Sequence, residues 1–298
     1  MKKFVPFLQI LTICTILIIV IGAEGCLQGQ NNKATGFGGI SAKFIESAPP
    51  ANVVVNQNFP VYAEITNLGD ANVDPNYAKF YLTGLAPNIE NVKSSLSNKN
   101  FLGKNAFERL DFAEAAKSSL ELIQPTNVIM LLTSCYKYGG RAQAEICVAS
   151  SNKTQVCTIT GEKVTFNTEE PIQVTSLTEE IVGNKLQISF TLTNKGKGTV
   201  YLPDTDCDKL QKRDVNEAMK NDRLKVRIST VEKGLTCKLQ TLDSTHNSIE
   251  ALEGAASLGS VICEKSLTGE EDHKTVIQLI LDYVYIESSS QNIMISPA

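Results

Sequence analysis

Cysteine is the residue type in this chain with the widest choice of chemistry, because a thiol can form a disulfide, bind a metal or carry a lipid. The 298-residue chain contains eight cysteines. Six of them, an even number, lie after residue 134: Cys135, Cys147, Cys157, Cys207, Cys237 and Cys263. The sequence has no C-x-x-C motif and only two histidines, so it favours disulfides over a zinc site.

The spacing of three cysteines allows two alternative hairpin disulfides. Cys135 and Cys147 are symmetric about a predicted turn at Gly139-Gly140, and Cys147 and Cys157 are symmetric about a second predicted turn near residue 152. Opposite positions on neighbouring strands bring Cβ atoms within reach of a disulfide, but Cys147 can form only one of these bonds. The sequence leaves both pairings open and favours Cys147 with Cys157.

The remaining cysteines follow from the strand pattern of the second part of the chain. Cys237 and Cys263 lie on segments predicted to be adjacent strands, which makes them a pair. Cys207 is left to a loop or to an inter-domain partner. Because three cysteines fall in each predicted domain, either one per domain stays free or one bond joins the domains.

Acidic residues at alternate positions give the main candidate for a metal site. Asp204, Asp206 and Asp208 resemble the opening of an EF-hand calcium loop. Lys209 stands where that loop needs Gly, and Val215 stands where it needs a bidentate Glu, so a solvated loop is the preferred interpretation. The sequence contains no G-x-S-x-G, H-E-x-x-H or glycine-rich phosphate loop, and it predicts no catalytic residue and no cofactor.

Two further features could involve sugar. Asn152-Lys153-Thr154 is an N-glycosylation sequon in a predicted loop, with Asn152 as the acceptor. Tyr136 with Tyr138, and Tyr283 with Tyr285, could form a stacking surface for a sugar ring. Tyrosines at alternate strand positions are more often core residues or tyrosine corners, so the core interpretation is preferred.

The first forty residues predict how the chain is attached to a membrane. Lys2 and Lys3 precede an uncharged apolar run of 19 residues, which would span roughly 28 Å as a helix. Residues 1–26 are therefore predicted to be a signal, a lipoprotein anchor or a transmembrane helix, followed by a flexible tether at residues 27–39. The two lysines place the N-terminus inside and the rest of the chain on the extracytoplasmic side of the membrane.

The residues around Cys26 resemble a lipoprotein signal. Gly25 fits the usual lipobox, whereas Ala23 and Glu24 depart from it. A lipid on Cys26 is favoured over an uncleaved signal-anchor helix, which remains the alternative. A pilin-type helix is disfavoured, because no processing site precedes the apolar run and a Gly/Asn/Gln tether follows it.

Charge and strand patterning predict an exported all-β protein. Without residues 1–26 the chain has 26 basic and 31 acidic residues, so no basic surface suggests nucleic acid. Short apolar runs with a period of two indicate strands, as in Phe59 to Asn67 and Lys185 to Asn194. Phe112 to Leu122 fits either a helix capped by Asp111 or a strand pair around Lys117-Ser118-Ser119, and its position among strands favours the strand. Val215 to Lys220 is consistent with a short helix. Long amphipathic helices are absent from the sequence pattern, which argues against a solute-binding lipoprotein.

An internal repeat divides the predicted ectodomain. Asn67-Leu68-Gly69 recurs as Asn194-Lys195-Gly196 at an offset of 127 residues, and Tyr136-Lys137-Tyr138 recurs as Tyr283-Val284-Tyr285 at an offset of 147. Two landmarks in the same order indicate two copies of one β-domain. The predicted domains are residues 40–168 and 171–298, separated at Glu169-Glu170-Pro171.

The segments ITNLGDANV and FTLTNKGKGTV, together with CYKY, EPIQVTSL and LDYVY, resemble the cell-adhesion-related (CARDB-type) Ig-like domains of bacterial and archaeal surface proteins. The layout resembles archaeal envelope lipoproteins with two such domains. The resemblance implies two tandem Ig-like β-sandwich domains and no catalytic residues. The expected function is a membrane-tethered envelope protein that binds a protein or glycan, mediates adhesion or forms surface structure; the alternative is a glycan-active enzyme on a β-sandwich scaffold.

Overall fold

Two long strands run through the middle of the protein. A computed structural model of the chain describes residues 38–298, apart from 86–87, 153, 160, 231–233, 240–252 and 270. Strand β8 (Thr126–Val148) pairs antiparallel with strand β18 (His273–Ser296) along nearly their whole length. At about 3.3 Å per residue, a strand of this length spans about 75 Å. We call this pair the central ribbon.

The central ribbon forms the middle of a nine-stranded sheet. On the β8 side the sheet continues through β4 (Ala78–Thr83) to β6 (Ser95–Leu96), and on the β18 side through β14 (Arg223–Thr230) to β16 (Glu253–Ser257). Three short strands complete it: β2 (Asn52–Val54), β10 (Thr165–Asn167) and β13 (Thr199–Tyr201). Because β4 and β14 pair with opposite ends of the ribbon, each repeat contributes strands to a different end.

Two smaller sheets pack against the core-facing side of the central sheet. The first has the order β1 (Ile40–Phe44), β3 (Asn58–Asn67), β7 (Phe107–Ser118), β5 (Ile89–Glu90). The second has the order β15 (Leu235–Cys237), β17 (Gly259–Ser266), β12 (Lys185–Asn194), β11 (Ile172–Val182), β9 (Gly161–Glu162). We call the end of the protein under the first small sheet the first half, and the end under the second small sheet the second half.

Period-two alternation explains why the ribbon can serve both halves. The even-numbered residues of β8 face the core along the whole strand, from Val128 and Met130 in the first half to Ala144 and Ile146 in the second. Buried residues of the ribbon and of both small sheets form one continuous hydrophobic cluster. The described chain is accordingly one compact unit in which two β-sandwich halves share a sheet.

Two short helices cover the outer face of the ribbon near its centre. They are α1 (Cys207–Gln211), capped by the Asp206 side chain, and α2 (Val215–Ala218), capped by Asp214. Cys207 packs there against a small buried cluster of Tyr81, Cys135 and Val284. Within the described residues, no helix is long and apolar enough to cross a membrane.

The all-β prediction is confirmed, but the predicted turn at Gly139-Gly140 is wrong. Strand β8 passes through both glycines without reversing, and Gly139 lies opposite Asp282 of β18. A Cβ added at Gly139 would lie 2.9 Å from the carbonyl oxygen of Leu281, so the glycine permits close approach of two strands instead of a turn. The strand predicted at Phe112 to Leu122 and the short helix predicted at Val215 to Lys220 correspond to β7 and α2.

The predicted domain ranges do not coincide with the two halves. Residues 139–148 of the first range lie in the second half, and residues 283–296 of the second range lie in the first half, where Ile295 pairs with Val53. The ranges 40–168 and 171–298 therefore mark the sequence repeat, while each half takes one end of the ribbon from the other repeat. The predictions for residues 1–26, for Cys26 and for most of the tether at 27–39 lie outside the described residues.

The repeat itself is visible in the strand pairing. Strands β1, β3 and β7 are neighbours in the first small sheet, as β11, β12 and β17 are in the second. Ile40 pairs with Asn67 in the first sheet and Ile172 pairs with Asn194 in the second. Residues of β8 correspond to residues of β18 that lie 147 positions later in the chain. Lys137 and Val284 are equivalent by this offset and also pair with each other, so an approximate two-fold axis relating the halves passes through this pair.

Candidate functional site

The four tyrosines of the repeated Tyr-x-Tyr motif meet at the centre of the ribbon. Tyr138 lies opposite Tyr283, and Tyr136 lies opposite Tyr285. Their rings make four edge-to-face contacts, with centroids 5.4 to 6.3 Å apart. All four side chains are buried, so the core interpretation is confirmed and a sugar-stacking surface made of these rings is wrong.

Each repeat connects its tyrosine motif to the turn after its Asn-containing strand. In the first repeat, the Tyr138 hydroxyl donates to Asn67 Oδ1 at 2.7 Å, and the Gly69 N–H donates to the same oxygen at 3.2 Å. The Asn67 amide donates to the carbonyls of Ala71 and Leu102 at 2.7 and 2.9 Å. Asn67 is fully buried, and four hydrogen bonds satisfy its side chain. We call this arrangement the first Asn–Tyr corner.

The second Asn–Tyr corner repeats three of these four contacts at the predicted offsets. The Tyr285 hydroxyl donates to Asn194 Oδ1 at 3.1 Å, and the Gly196 N–H donates to that oxygen at 3.0 Å. The Asn194 amide donates to the Gly198 carbonyl at 2.8 Å, and the Gly198 N–H donates to the Tyr285 hydroxyl at 2.8 Å. The two landmarks recognised separately in the sequence are therefore bonded to each other in both repeats.

The glycines of the two corners are required for a different reason than the sequence suggested. The Asn-x-Gly pattern predicts residues with positive φ in a turn, but Asn67, Gly69, Asn194 and Gly196 all lie outside the positive-φ set. A Cβ on Gly69 would lie 2.3 Å from the Tyr138 hydroxyl, and a Cβ on Gly196 would lie 2.2 Å from the Tyr285 hydroxyl. Glycine is needed because a tyrosine hydroxyl approaches the backbone at these positions.

Burial keeps the tyrosine cluster uncharged. Desolvation raises the pKa of all four tyrosines above the ordinary value for a phenol. For Tyr138, the nearby carboxyl groups of Glu170 and Asp70 raise the pKa further. Neutral hydroxyls can donate to the corner asparagines at any physiological pH, which makes the cluster a structural joint between the two halves.

The structure pairs all six cysteines of the described chain. Cys147 bonds Cys157, the pairing that the spacing favoured, and Cys237 bonds Cys263 as expected from adjacent strands. Cys135 bonds Cys207 across the repeat boundary, which is the inter-domain bond that the sequence allows as one of two outcomes. This bond ties α1 to the outer face of β8.

The acidic candidates for a metal site each have a separate partner. Asp204 forms an ion pair with Lys220, Asp206 caps α1, and Asp208 forms an ion pair with Lys79. Hydrogen bonds from Lys79 and Tyr81 hold the pKa of Asp208 below its usual range. Among the described residues no group of three His, Cys, Asp or Glu side chains is arranged to hold a metal ion.

A cavity of about 380 Å³ opens beside Gly139 and Gly140, where the segment between the two repeats, with Thr168 and Glu170, lies against the ribbon. Glu170 lies on its wall and is 1% exposed. Glu170 Oε1 accepts hydrogen bonds from the N–H groups of Asp70 and Ala71, at 3.2 and 3.0 Å. Burial raises the pKa of the Glu170 carboxyl, and these N–H groups together with Thr168 offset part of that shift. We call this space the joint cavity.

A second cavity, of about 470 Å³, lies at the outer face of the second half beside the Cys147–Cys157 disulfide. Three apolar side chains on its wall are exposed to solvent: Val156 at 48%, Val164 at 72% and Phe166 at 64%. We call these three residues the Phe166 patch. Asn152, the predicted glycan acceptor, is exposed in the segment after β8 that leads to Val156, and its modification remains a prediction.

The joint cavity is the feature that sequence reasoning missed. In the sequence, Glu170 stands only as part of a charged boundary, and Gly139-Gly140 predicts a turn. One signal in the sequence could have indicated the cavity. The apolar residues stay at even-numbered positions on both sides of the glycine pair, from Tyr136 and Tyr138 to Ala142 and Ala144, as expected for one continuous strand. Two glycines inside an unbroken strand pattern indicate a place where side chains are excluded.

Comparisons with known proteins do not assign the chain to a family. No family model matches it, and no curated protein matches it. Among solved structures, the secreted serine protease VesC from Vibrio cholerae is similar over 82% of this chain and 50% of that chain, with 13% identity and a TM-score of 0.20. The chain thus spans half the length of that protein, and the likeness at this score carries no argument about fold or activity.

Proposed function

We propose that this chain is a membrane-tethered protein of the cell envelope that binds a partner through the second half, with no catalytic role. The observation that carries the proposal is the Phe166 patch. Three exposed apolar side chains on the wall of one cavity are typical of a surface that another molecule covers. Strand β10, which carries Phe166, is short and pairs with β8 over three residues, so the side chain is presented at a sheet margin.

Export and tethering are supported by two independent observations. Three disulfides are expected in an oxidising compartment and are rare in the cytosol. The apolar run after Lys2 and Lys3, followed by Cys26, provides a membrane attachment at the N-terminus.

The two repeats are further proposed to be CARDB-type Ig-like units. The equal order of β1, β3, β7 and β11, β12, β17 in the small sheets supports this proposal. Surface-exposed tandem units of this kind act as binding or structural modules, which agrees with a function carried by the Phe166 patch.

Site-directed photo-crosslinking in intact cells tests the proposal. A photoreactive residue at Phe166 of the full chain should give one defined adduct, and the same residue at Ile123, which is fully exposed, should not. The purified partner should then bind the wild-type protein and bind Phe166→Ser more weakly. Equal labelling from both positions would contradict the proposal. So would turnover of a glycan by the purified full-length protein that is lost on replacing one carboxylate.

A further inference from the structure

The joint cavity exists because the edge of β8 is uncovered at the centre of the ribbon. Strand β4 pairs with β8 only as far as Tyr136, and the pairing with β10 begins at Ala142. Within this gap, Arg141 bonds to Thr168 through its N–H at 2.9 Å and through its carbonyl, so it directs its backbone away from β18. Alternate residues direct their N–H and C=O groups to the same edge, so Gly139 presents its own to the gap.

The wall of the joint cavity holds an acceptor that lacks a donor. Glu170 Oε2 is buried and accepts no hydrogen bond from the described residues, because the neighbouring Thr168 hydroxyl donates to the Arg141 carbonyl at 3.2 Å, whereas Oε1 of the same carboxyl accepts two. Buried carboxylate oxygens in proteins are normally paired, so this one indicates an unfilled donor position. A Cβ built on Gly140 would lie 3.6 Å from Oε2, which places the oxygen over backbone that has no side chain.

The charged groups around the cavity decide what kind of donor fits. Asp70 is already paired with Lys104 at 2.7 Å, and Asp282 lies 3.7 Å from Arg227. Arg141 is the cationic side chain on the cavity wall, and its backbone is fixed by Thr168. Glu170 differs from these two carboxyl groups in being buried with an oxygen that has no partner, and Ala71, Ile280 and Leu281 supply apolar surface beside it.

We propose that the joint cavity binds an alkylammonium group, with the ammonium at Glu170 Oε2 and the Gly139 carbonyl and the alkyl chain along the bare glycine backbone. A lysine side chain of a partner and a free aliphatic amine share this chemistry. The cavity volume exceeds what either group occupies, so water completes the site. This binding site is independent of the Phe166 patch and of where the protein resides.

The test is a titration of the full-length protein in detergent with n-butylamine, with binding measured by ligand-observed NMR. Glu170→Gln keeps the shape and removes the charge, and it should weaken binding by about tenfold or more. Gly140→Ala adds a methyl group at ordinary van der Waals distance from Glu170, so it should fold normally and block the site. Glu114→Gln, an exposed carboxylate on β7, is the matched control and should bind as wild type does.

Neutral n-butanol should not displace the amine from the wild-type protein, and this measurement decides the question even where a variant fails to fold. A lysine derivative blocked at its α-amino and carboxyl groups distinguishes the sources: tighter binding than n-butylamine assigns the site to a peptide or protein partner, and weaker binding assigns it to a free amine. Three results would each overturn the proposal: no saturable binding to wild type, wild-type affinity in both Glu170→Gln and Gly140→Ala, or displacement of the amine by n-butanol.

Discussion

The two Asn–Tyr corners have the same parts but distribute their hydrogen bonds differently. In the first corner Asn67 takes part in four hydrogen bonds, and the Tyr138 hydroxyl takes part in one of them. In the second corner Asn194 takes part in three, and the Tyr285 hydroxyl takes part in two, because it also accepts from the Gly198 N–H. The asparagine therefore makes one more hydrogen bond in the first repeat, and the tyrosine hydroxyl makes one more in the second.

The difference comes from the segment between β4 and β7. Its Leu102 carbonyl accepts from the Asn67 amide and encloses the first corner, so that Asn67 is fully buried. Asn194 is only half-buried. A repeated motif can therefore keep its geometry while a local insert changes which side chain contributes most to stability.

The largest expected effect concerns a disulfide that joins the two repeats and has no symmetric counterpart. The offset of 147 places Asp282 where the first repeat has Cys135, so the Cys135–Cys207 disulfide has no counterpart. It closes a loop of 72 residues, and the Cys147–Cys157 bond closes a loop of 10. Chain entropy predicts that replacing the first pair by serine costs about 4.4 kcal/mol and the second about 2.7 kcal/mol. Urea unfolding of both double variants measures this, and equal losses would contradict the loop-length account.

Alanine at the two asparagines tests the comparison directly. Asn67→Ala should lower the free energy of unfolding by about 3 kcal/mol, since it leaves two buried carbonyls and two donors without their partner. Asn194→Ala should cost about 2 kcal/mol, because its site is partly open to water and has one fewer bond. Asn127→Ala, at the exposed end of β8, is the control and should change stability little. A larger loss at Asn194 than at Asn67 would refute the assignment.

Phenylalanine at the two tyrosines should give the opposite order. Tyr285→Phe removes two hydrogen bonds and leaves the Gly198 N–H unpaired, for an expected cost of about 2 kcal/mol. Tyr138→Phe removes one, and Asn67 Oδ1 keeps the Gly69 N–H, so about 1 kcal/mol is expected. Thermal and urea unfolding of both variants give the values. A larger loss of unfolding free energy in Tyr138→Phe than in Tyr285→Phe would contradict the assignment of two hydrogen bonds to the Tyr285 hydroxyl and one to the Tyr138 hydroxyl.

Local alternation and repeated landmarks were enough to predict many of the strands and the internal repeat. Phe59 to Asn67 and Lys185 to Asn194 show the pattern because one face of each strand is buried and the other is not. The exchange of strand ends could not be predicted in this way. A glycine pair in a β-rich sequence is compatible with a turn or with close strand packing, and only the partner strand, here β18, distinguishes the two.

Disulfides and the candidate site show the same limit. Cys147 with Cys157 follows from local symmetry, whereas Cys135 with Cys207 depends on α1 lying over the ribbon, and no spacing rule contains that information. Glu170 has no motif around it. Its burial results from the turn after β3 packing on the repeat boundary, a contact between residues about 100 positions apart.

The central ribbon also has a consequence for how the chain folds during synthesis. Thr126 pairs with Ile295, so the first half stays one strand short until residue Ile295 has left the ribosome. Every pair in the ribbon closes a loop of well over 100 residues, and such distant contacts fold slowly. Cutting the gene at the repeat boundary would remove an end strand from both halves, so neither repeat is a transferable module. A single repeat expressed alone is therefore expected to lack the strands of one complete half.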